Sequence, residues 1–535
     1  MIYKKRRVWG CLKLFLAGYI HCFLKLSGLL IVAFHDRLKA RRMNRQARRN
    51  TMYQDATAIA EAIRNREVSA EECVKATVDK IEKLNPDLNA VVSTQYEQAL
   101  ERARNLKIGV QPFAGVPILL KDLGQEQKGE LSIAGSRLFA HYRASKSDRY
   151  TQRMEELGFI VLGRTNTPEF GFKNISDSRL HGPVNLPIDM TRNAGGSSGG
   201  SAAAVSSGMV TLAGASDGGG SIRIPASFNG LIGLKTSRGR IPVGPSSYRG
   251  WQGASVHFAL TKSVRDTKSL LYHLQAYQVE APFPLQPLSW DSLFESRRSP
   301  LKIAFSLQSP IGTPVSAEAQ EAVLNLLPAL EELGHQVTEL TAYPLDGIEA
   351  MRSYYVMNSV ETAQMFTGIE QGLGRKMTPA DMELMTWAIY RSGLTIPAYR
   401  YSQVLQDWDQ YSAKMAVFHE NYDLLLTPTV ASVAPKHGQF ALEQELEEKL
   451  RHMDEYEMAE QQELIWQMFE KSLSWTPFTQ QANLTGQPSI SLPVYQTAQG
   501  LPIGVQLTAA KGQEDILLSV AEELEKLGKL ICKAL

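Results

Sequence analysis

The sequence predicts an α/β protein, a large layer architecture in which a mixed β-sheet is covered by helices, preceded by an apolar and basic leader. Three observations carry this. Short β-rich runs alternate with helical stretches along the body, no internal repeat is found, and the charge divides sharply near residue 51. The 535 residues carry 57 Lys+Arg against 55 Asp+Glu, a formal net charge of +2. Residues 1–51 hold 13 of the basic residues and one acid, Asp36, leaving a body with 44 basic and 54 acidic side chains. A mildly acidic body argues against nucleic acid as a partner. With 44% apolar and 21% charged residues, the chain is neither disordered nor disulfide-dense. Length alone allows three or four domains, and large α/β enzymes exceed that spacing as one unit.

The leader comes first. Lys4, Lys5, Arg6 and Arg7 precede an apolar run from Val8 to Phe34, and seven basic residues from Arg37 to Arg49 follow it. As a helix this run is about 40 Å long, enough for a hydrocarbon core of about 30 Å. Lys13, His21 and Lys25 interrupt it, and no small-residue cleavage site follows. The expectation is a candidate transmembrane helix over 8–34 with the basic flank and a cytoplasmic body on one side. The alternative is translation from Met43 or Met52, without the leader. The domain reading is therefore 1–51 as leader and 52–535 as body.

In the body, Ser69-Ala70-Glu71-Glu72 is a capping box, and Val74, Val78, Ile81 and Leu84 recur at helical spacing up to Asn85-Pro86. Strand candidates are Val116–Leu120, Phe159–Leu162, Met209–Leu212, Leu231–Leu234, Leu301–Phe305, Leu424–Leu426, Ile490–Val494 and Val505–Leu507. Residues 279–300, with Pro282, Pro284, Pro287 and Pro300, read as a surface connection. The acid-rich stretch 441–470 reads as a solvated helical face. Cys73 and Cys532 are the only cysteines of the body, so neither a disulfide framework nor a zinc site is expected.

The chemistry concentrates in two glycine clusters. Gly195-Gly196-Ser197-Ser198-Gly199-Gly200-Ser201 leads into an alanine-rich segment, and Ser216-Asp217-Gly218-Gly219-Gly220-Ser221-Ile222-Arg223 follows. Glycine lets successive peptide N–H groups converge on one anion: a phosphate, a carboxylate or a transient oxyanion. The phosphate motifs fail, because the body's only Gly-Lys pair is Gly528-Lys529, and neither cluster spells GxGxxG. Gly196-Ser197-Ser198-Gly199-Gly200 does fit the G-x-S-x-G nucleophile elbow, but the later histidine it needs, His437 or His452, follows no recognisable late strand, which disfavours this reading.

The segments GGSSGGSAAAVSSGMV and SDGGGSIRIPASFNGLIGLKTSRGRIPVGP resemble the signature of the amidase-signature family of serine hydrolases. The resemblance extends to Gly115–Asp122, Asp423–Pro428 and Ala482–Pro488, and covers about residues 53–530. It implies a single large amidase-signature domain and a Ser–Ser–Lys triad: Ser221 as nucleophile, Ser197 as bridge after a cis peptide bond, and Lys121 as base. It also implies an oxyanion hole from the N–H groups of Gly218, Gly219, Gly220 and Ser221. A lysine can act as base only when neutral, and the apolar neighbours Val116, Ile118, Leu119 and Leu120 suit the burial this requires. Taken alone, Lys121 reads as a surface charge and Ser221 as a helix cap. Ser198 is expected to hydrogen-bond near the bridge, and Asp217 with Arg223 to form a structural ion pair.

Within the family the chain looks most like 6-aminohexanoate cyclic-dimer hydrolases, with fatty acid amide hydrolases more distant. The resemblance implies hydrolysis of a small-molecule amide through an acyl-enzyme, with no cofactor or metal and with a homodimer compatible. Met351–Tyr401, including Met357, Asn358, Met365, Phe366, Trp387, Tyr390 and Tyr399, is either acyl pocket or helical core. Two other readings are weighed. One is the A subunit of a glutamyl-tRNA amidotransferase, disfavoured by Ile224 where those subunits typically have Gln. The other is a membrane-tethered binding protein with an inactive site.

Overall fold

In the computed structural model, residues 55–295 and 300–532 are described. Eleven strands form the main sheet: β1 (Val91–Thr94), β2 (Pro117–Lys121), β3 (Ile160–Thr165), β4 (Ala213–Asp217), β5 (Ile232–Lys235), β6 (Val256–Thr261), β7 (Lys302–Phe305), β8 (Gln336–Glu339), β9 (Leu424–Pro428), β10 (Ser489–Gln496) and β11 (Pro502–Ala509). Their spatial order is β1-β3-β2-β4-β6-β5-β10-β11-β9-β7-β8. The sheet is mixed as expected: β2 runs parallel to β3 and β4, whereas β10 and β11 pair antiparallel over Ser489–Gln496.

Seven of the eight strand candidates overlap these strands. The exception is Met209–Leu212, where the strand starts one residue later, at Ala213, and runs through Ala-Gly-Ala-Ser-Asp. Side chains this small carry no β signature, but they fit a strand buried along its whole length between β2 and β6. β1, β6 and β8 were not expected.

The helices that matter for the site are α1 (Ala70–Leu88), α2 (Gly199–Ser206), α3 (Arg223–Asn229), α4 (Gly347–Leu373), α5 (Leu384–Gly393), α6 (Ala398–Phe418), α7 (Gln444–Arg451), α8 (Met458–Trp475) and α9 (Gln480–Thr485). The capping box at Ser69 is formed, with Glu72 N–H donating to Ser69 Oγ at 3.1 Å and Ser69 N–H to Glu72 Oε2 at 2.9 Å. α1 continues past Pro86 to Leu88, because a proline in the last turn forfeits a single backbone bond. Asn89 then closes it in the left-handed region, φ 51°.

α2 and α3 are buried over every residue and pack on each other beneath the sheet strands. α2 is built from Gly, Ser, Ala and Val, and its glycines permit close approach. A Cβ at Gly200 would lie 2.4 Å from the Asn166 backbone N and 2.5 Å from the Ala90 backbone O. α4 packs against α5, α6, α8 and α9 to form a helical layer beside the glycine clusters. The acid-rich stretch lies on α7 and α8 and leaves Glu443, Glu445, Glu448 and Glu455 exposed, as a solvated face requires. Residues 279–295 carry no strand and a single short helical turn at Asp291–Glu295.

Among the described residues no helix is long and apolar enough to cross a membrane. The leader 1–51, with its run over 8–34, lies outside the described residues.

Candidate active site

The two glycine clusters and the end of β2 meet beneath the helical layer. Lys121 is the last residue of β2 and is fully buried. Its backbone N–H donates to Gln125 Oε1 at 2.8 Å, and its Nζ donates to Ser197 Oγ at 2.7 Å and to Ser216 Oγ at 3.0 Å. Burial lowers the Lys121 ammonium to about 7, with the Asp217 charge acting in the opposite direction. Of the sequence-predicted residues, then, Lys121 and Ser197 are in direct contact. Ser216 joins them; it opens the second glycine cluster, but no role is expected of it from the sequence.

Ser197 stands just before α2, and the Gly196–Ser197 peptide bond is cis. The backbone before it is crowded. A Cβ at Gly196 would lie 2.6 Å from the Ile175 carbonyl carbon, and one at Gly171 would lie 3.1 Å from Ser197 Oγ. Ser198 is buried. Its hydroxyl donates to the Ser216 carbonyl at 3.3 Å and accepts from the Ser216 N–H at 3.3 Å, locking α2 to the end of β4. With its hydroxyl so engaged, Ser198 is not an exposed elbow nucleophile. The histidines that reading needs are elsewhere: His437 bonds the Met190 carbonyl, and the exposed His452 meets Glu448 and Glu455. These contacts agree with setting the elbow reading aside.

Asp217 and Arg223 form the expected brace. Both side chains are fully buried and joined twice, Arg223 Nε to Asp217 Oδ2 and Nη2 to Oδ1, each at 2.9 Å. Burial alone would raise the Asp217 carboxyl, but Arg223 and then Asn483 outweigh it and hold the group well below the usual carboxylate range. Asp217 Oδ1 also accepts from the Gly220 N–H at 2.7 Å. The expectation that Gly220 serves an oxyanion hole is thereby corrected, because its donor is already spent inside the loop. Gly218, Gly219 and Ser221 are the members of that set whose N–H groups have no protein acceptor among the described residues.

Ser221 opens onto a small cavity of about 60 Å³. Phe172, Trp251, Met351, Tyr354 and Asn358 line it. This cavity shares Lys173, Asn174, Phe469 and Ser472 with a larger one of about 370 Å³, walled by Leu384, Met385, Phe440, Leu442 and Met468. Lys173 sits where they join and is paired with Asp177 at 3.0 Å and Glu383 at 2.9 Å. The two readings of Met351–Tyr401 thus divide by residue. Met351, Tyr354, Tyr355 and Asn358 line the site, whereas Phe366, Trp387 and Tyr390 build a separate core with Phe170, Met357 is buried in the main helical core, and Tyr399 is exposed. No group of three or more potential metal ligands exists among the described residues.

Known proteins of similar sequence and fold are amidases and amide hydrolases. Lipoamidase of Enterococcus faecalis is 38% identical over 480 residues, 89% of this chain, and the chain spans 64% of the length of that relative. 6-Aminohexanoate-cyclic-dimer hydrolase of Pseudomonas sp. (strain NK87) is 32% identical, with 89% of this chain and 94% of the relative covered. A solved structure of 6-aminohexanoate cyclic dimer hydrolase complexed with substrate superposes with a TM-score of 0.80 at 32% identity, covering 90% of this chain and 98% of that one. The amidase family model matches residues 72–518, so the chain belongs to the amidase family and is a hydrolase of amide C–N bonds.

Proposed function

We propose that this amidase works through a Ser221–Ser197–Lys121 relay and a covalent acyl-enzyme. The observation that carries the reading is the buried contact of Lys121 Nζ with Ser197 Oγ at 2.7 Å. A neutral amine has two N–H donors and one lone pair. In the neutral amine Ser216 Oγ keeps one N–H, and the contact with Ser197 reverses so that the lone pair accepts from the Ser197 hydroxyl. In the first step Lys121 Nζ takes the Ser197 proton, Ser197 Oγ takes the Ser221 proton, and Ser221 Oγ bonds to the amide carbon. The N–H groups of Gly218, Gly219 and Ser221 receive the oxyanion. As the tetrahedral adduct collapses, the C–N bond breaks and the proton returns through Ser197 to the leaving amine. Water then attacks the ester along the same relay, releasing the acid and restoring Ser221.

The adjoining cavities support a substrate with an extended arm. About 60 Å³ beside Ser221 holds only the reacting group, while about 370 Å³ next to it accommodates a chain of several carbons between apolar walls. The relatives named for lipoamide and for 6-aminohexanoate cyclic-dimer cleavage agree with that class. The assignment of 52–535 as the catalytic body and of 8–34 as a membrane anchor belongs to the same proposal, and carbonate extraction of the native protein tests the anchor.

Amide turnover by Lys121→Ala, Ser197→Ala and Ser221→Ala tests the relay. Loss of roughly 10³-fold or more in kcat for Ser221→Ala is expected, by analogy with other serine hydrolase triads. Near-wild-type turnover by that variant contradicts it.

A further inference from the structure

The loop before Ser221 is held from behind, one carbonyl at a time. Asn483 Nδ2 donates to the Asp217 carbonyl at 3.0 Å. Tyr354 Oη donates to the Gly218 carbonyl at 3.0 Å, and Thr479 Oγ1 donates to the Gly219 carbonyl at 2.7 Å. Three successive peptides are thus gripped on their oxygen side by α4, α9 and the residue just before α9. In a trans peptide the N–H points opposite the C=O. Fixing the Asp217, Gly218 and Gly219 oxygens therefore fixes where the Gly218, Gly219 and Gly220 hydrogens point. The last of these goes to Asp217 Oδ1, and the first two carry no protein acceptor among the described residues.

Two glycines have no side chain for a reason that follows from the same grip. A Cβ at Gly219 would lie 2.6 Å from Tyr354 Oη, and one at Gly220 would lie 2.3 Å from Thr479 Oγ1. Glycine has the freest backbone of all residues, so a run of three needs outside contacts to hold one orientation. Tyr354 is itself confined, buried and packed edge-on against Trp251 with ring centroids 6.0 Å apart.

We propose that Tyr354 is a positioning residue that pre-orients the oxyanion-binding Gly219 N–H through the Gly218 carbonyl, and that Thr479 supports it by holding the next peptide, Gly219–Gly220, through the Gly219 carbonyl. The inference rests on the Ser221 mechanism above. An oxyanion hole gains its effect from donors already aimed before charge develops, so loosening them weakens transition-state binding more than ground-state binding.

The test uses the whole protein and one chromogenic anilide. Tyr354→Phe and Thr479→Val each remove one hydroxyl while keeping shape. Each is expected to lower kcat by roughly 10- to 100-fold, less than loss of a donor itself, with KM within about twofold. Both should also bind a peptidyl-type aldehyde, which forms a tetrahedral adduct with a serine, more weakly by a similar factor, while affinity for the product acid is unchanged. Thr479→Ser, which restores the hydroxyl, should recover most of the Thr479→Val loss. Ser221→Ala runs alongside: turnover by that variant would overturn the underlying mechanism. Wild-type kcat in Tyr354→Phe and Thr479→Val, or equal weakening of aldehyde and product acid, with Ser221→Ala inactive, overturns the positioning role alone.

Discussion

Lys121 Nζ and Ser197 Oγ lie 2.7 Å apart, inside a site where neither side chain reaches solvent appreciably. The contact joins the end of a strand to a residue two positions before a buried helix, and neighbouring elements constrain both of its ends. β2 lies between β3 and β4 and delivers the amine, while Ser198 ties the start of α2 to β4. A buried lysine is costly as an ammonium and useful as an amine, which sets the first prediction.

Activity should follow deprotonation of Lys121. Burial places this group near 7, so kcat/KM should rise with pH through that value and fall about tenfold per unit below it. Ser216→Ala removes an acceptor that favours the charged amine, so the acid limb should move to lower pH, with kcat reduced through loss of orientation. A pH–rate profile of both proteins checks this; an unmoved limb in Ser216→Ala contradicts the role given to Ser216.

The same burial appears in stability. The lysine pKa is lower in the folded chain than its usual 10.5, so between about 7 and 10.5 the unfolded chain binds more protons and wild-type stability rises with pH. Lys121→Met lacks this group. Its Tm relative to wild type should therefore decline as pH is raised from 7 to 10, measured by thermal unfolding at several pH values. A constant difference would place the amine in a solvated environment.

Asp217 gives the opposite limb. Its folded pKa is depressed, so its contribution to stability is complete above the ordinary carboxylate value of about 3.9 and is lost as pH falls below it. Asp217→Asn leaves the fully buried Arg223 guanidinium uncompensated and should cost about 3–5 kcal/mol. Denaturant unfolding at pH 7 measures the loss, and a change under about 1 kcal/mol would mean that the brace is dispensable.

Substrate reach can be separated from chemistry. Leu442→Trp adds bulk at the wall of the larger cavity and touches nothing in the cavity beside Ser221. Turnover of an acetyl anilide should stay within about twofold, while that of a long-chain acyl amide falls by at least about tenfold, the scale of one or two misfit methylenes. Equal effects on both substrates would place the arm elsewhere.

Much of this molecule is legible in the sequence. The capping box at Ser69, the strand ending in Lys121 and the aliphatic runs at Leu424 and Ile490 are local patterns, each written within about ten residues. β4 was misplaced because its residues are Ala, Gly, Ala, Ser and Asp, chosen for close packing and not for strand propensity. Ser216, the next-to-last residue of that strand, is visible in the glycine cluster, but its contact with Lys121 is not. Tyr354 and Thr479 left no local trace at all, since they reach Gly218 and Gly219 across 136 and 260 residues of chain. Residue roles set by side chains that arrive from far along the sequence emerge only with the fold. The fate of the Gly220 N–H is a further case, decided by a turn in which Asp217 folds back on its own loop.

Acylation at Ser221 Oγ is the step on which the proposed mechanism depends. Intact-mass and peptide-mapping mass spectrometry after reaction with a fluorophosphonate tests it most directly, because only an activated serine reacts. One adduct is expected, on the peptide bearing Ser221, absent in Ser221→Ala and strongly slowed in Lys121→Ala at pH 7. An adduct on Ser197 or Ser198, or unchanged labelling of Ser221→Ala, would contradict it.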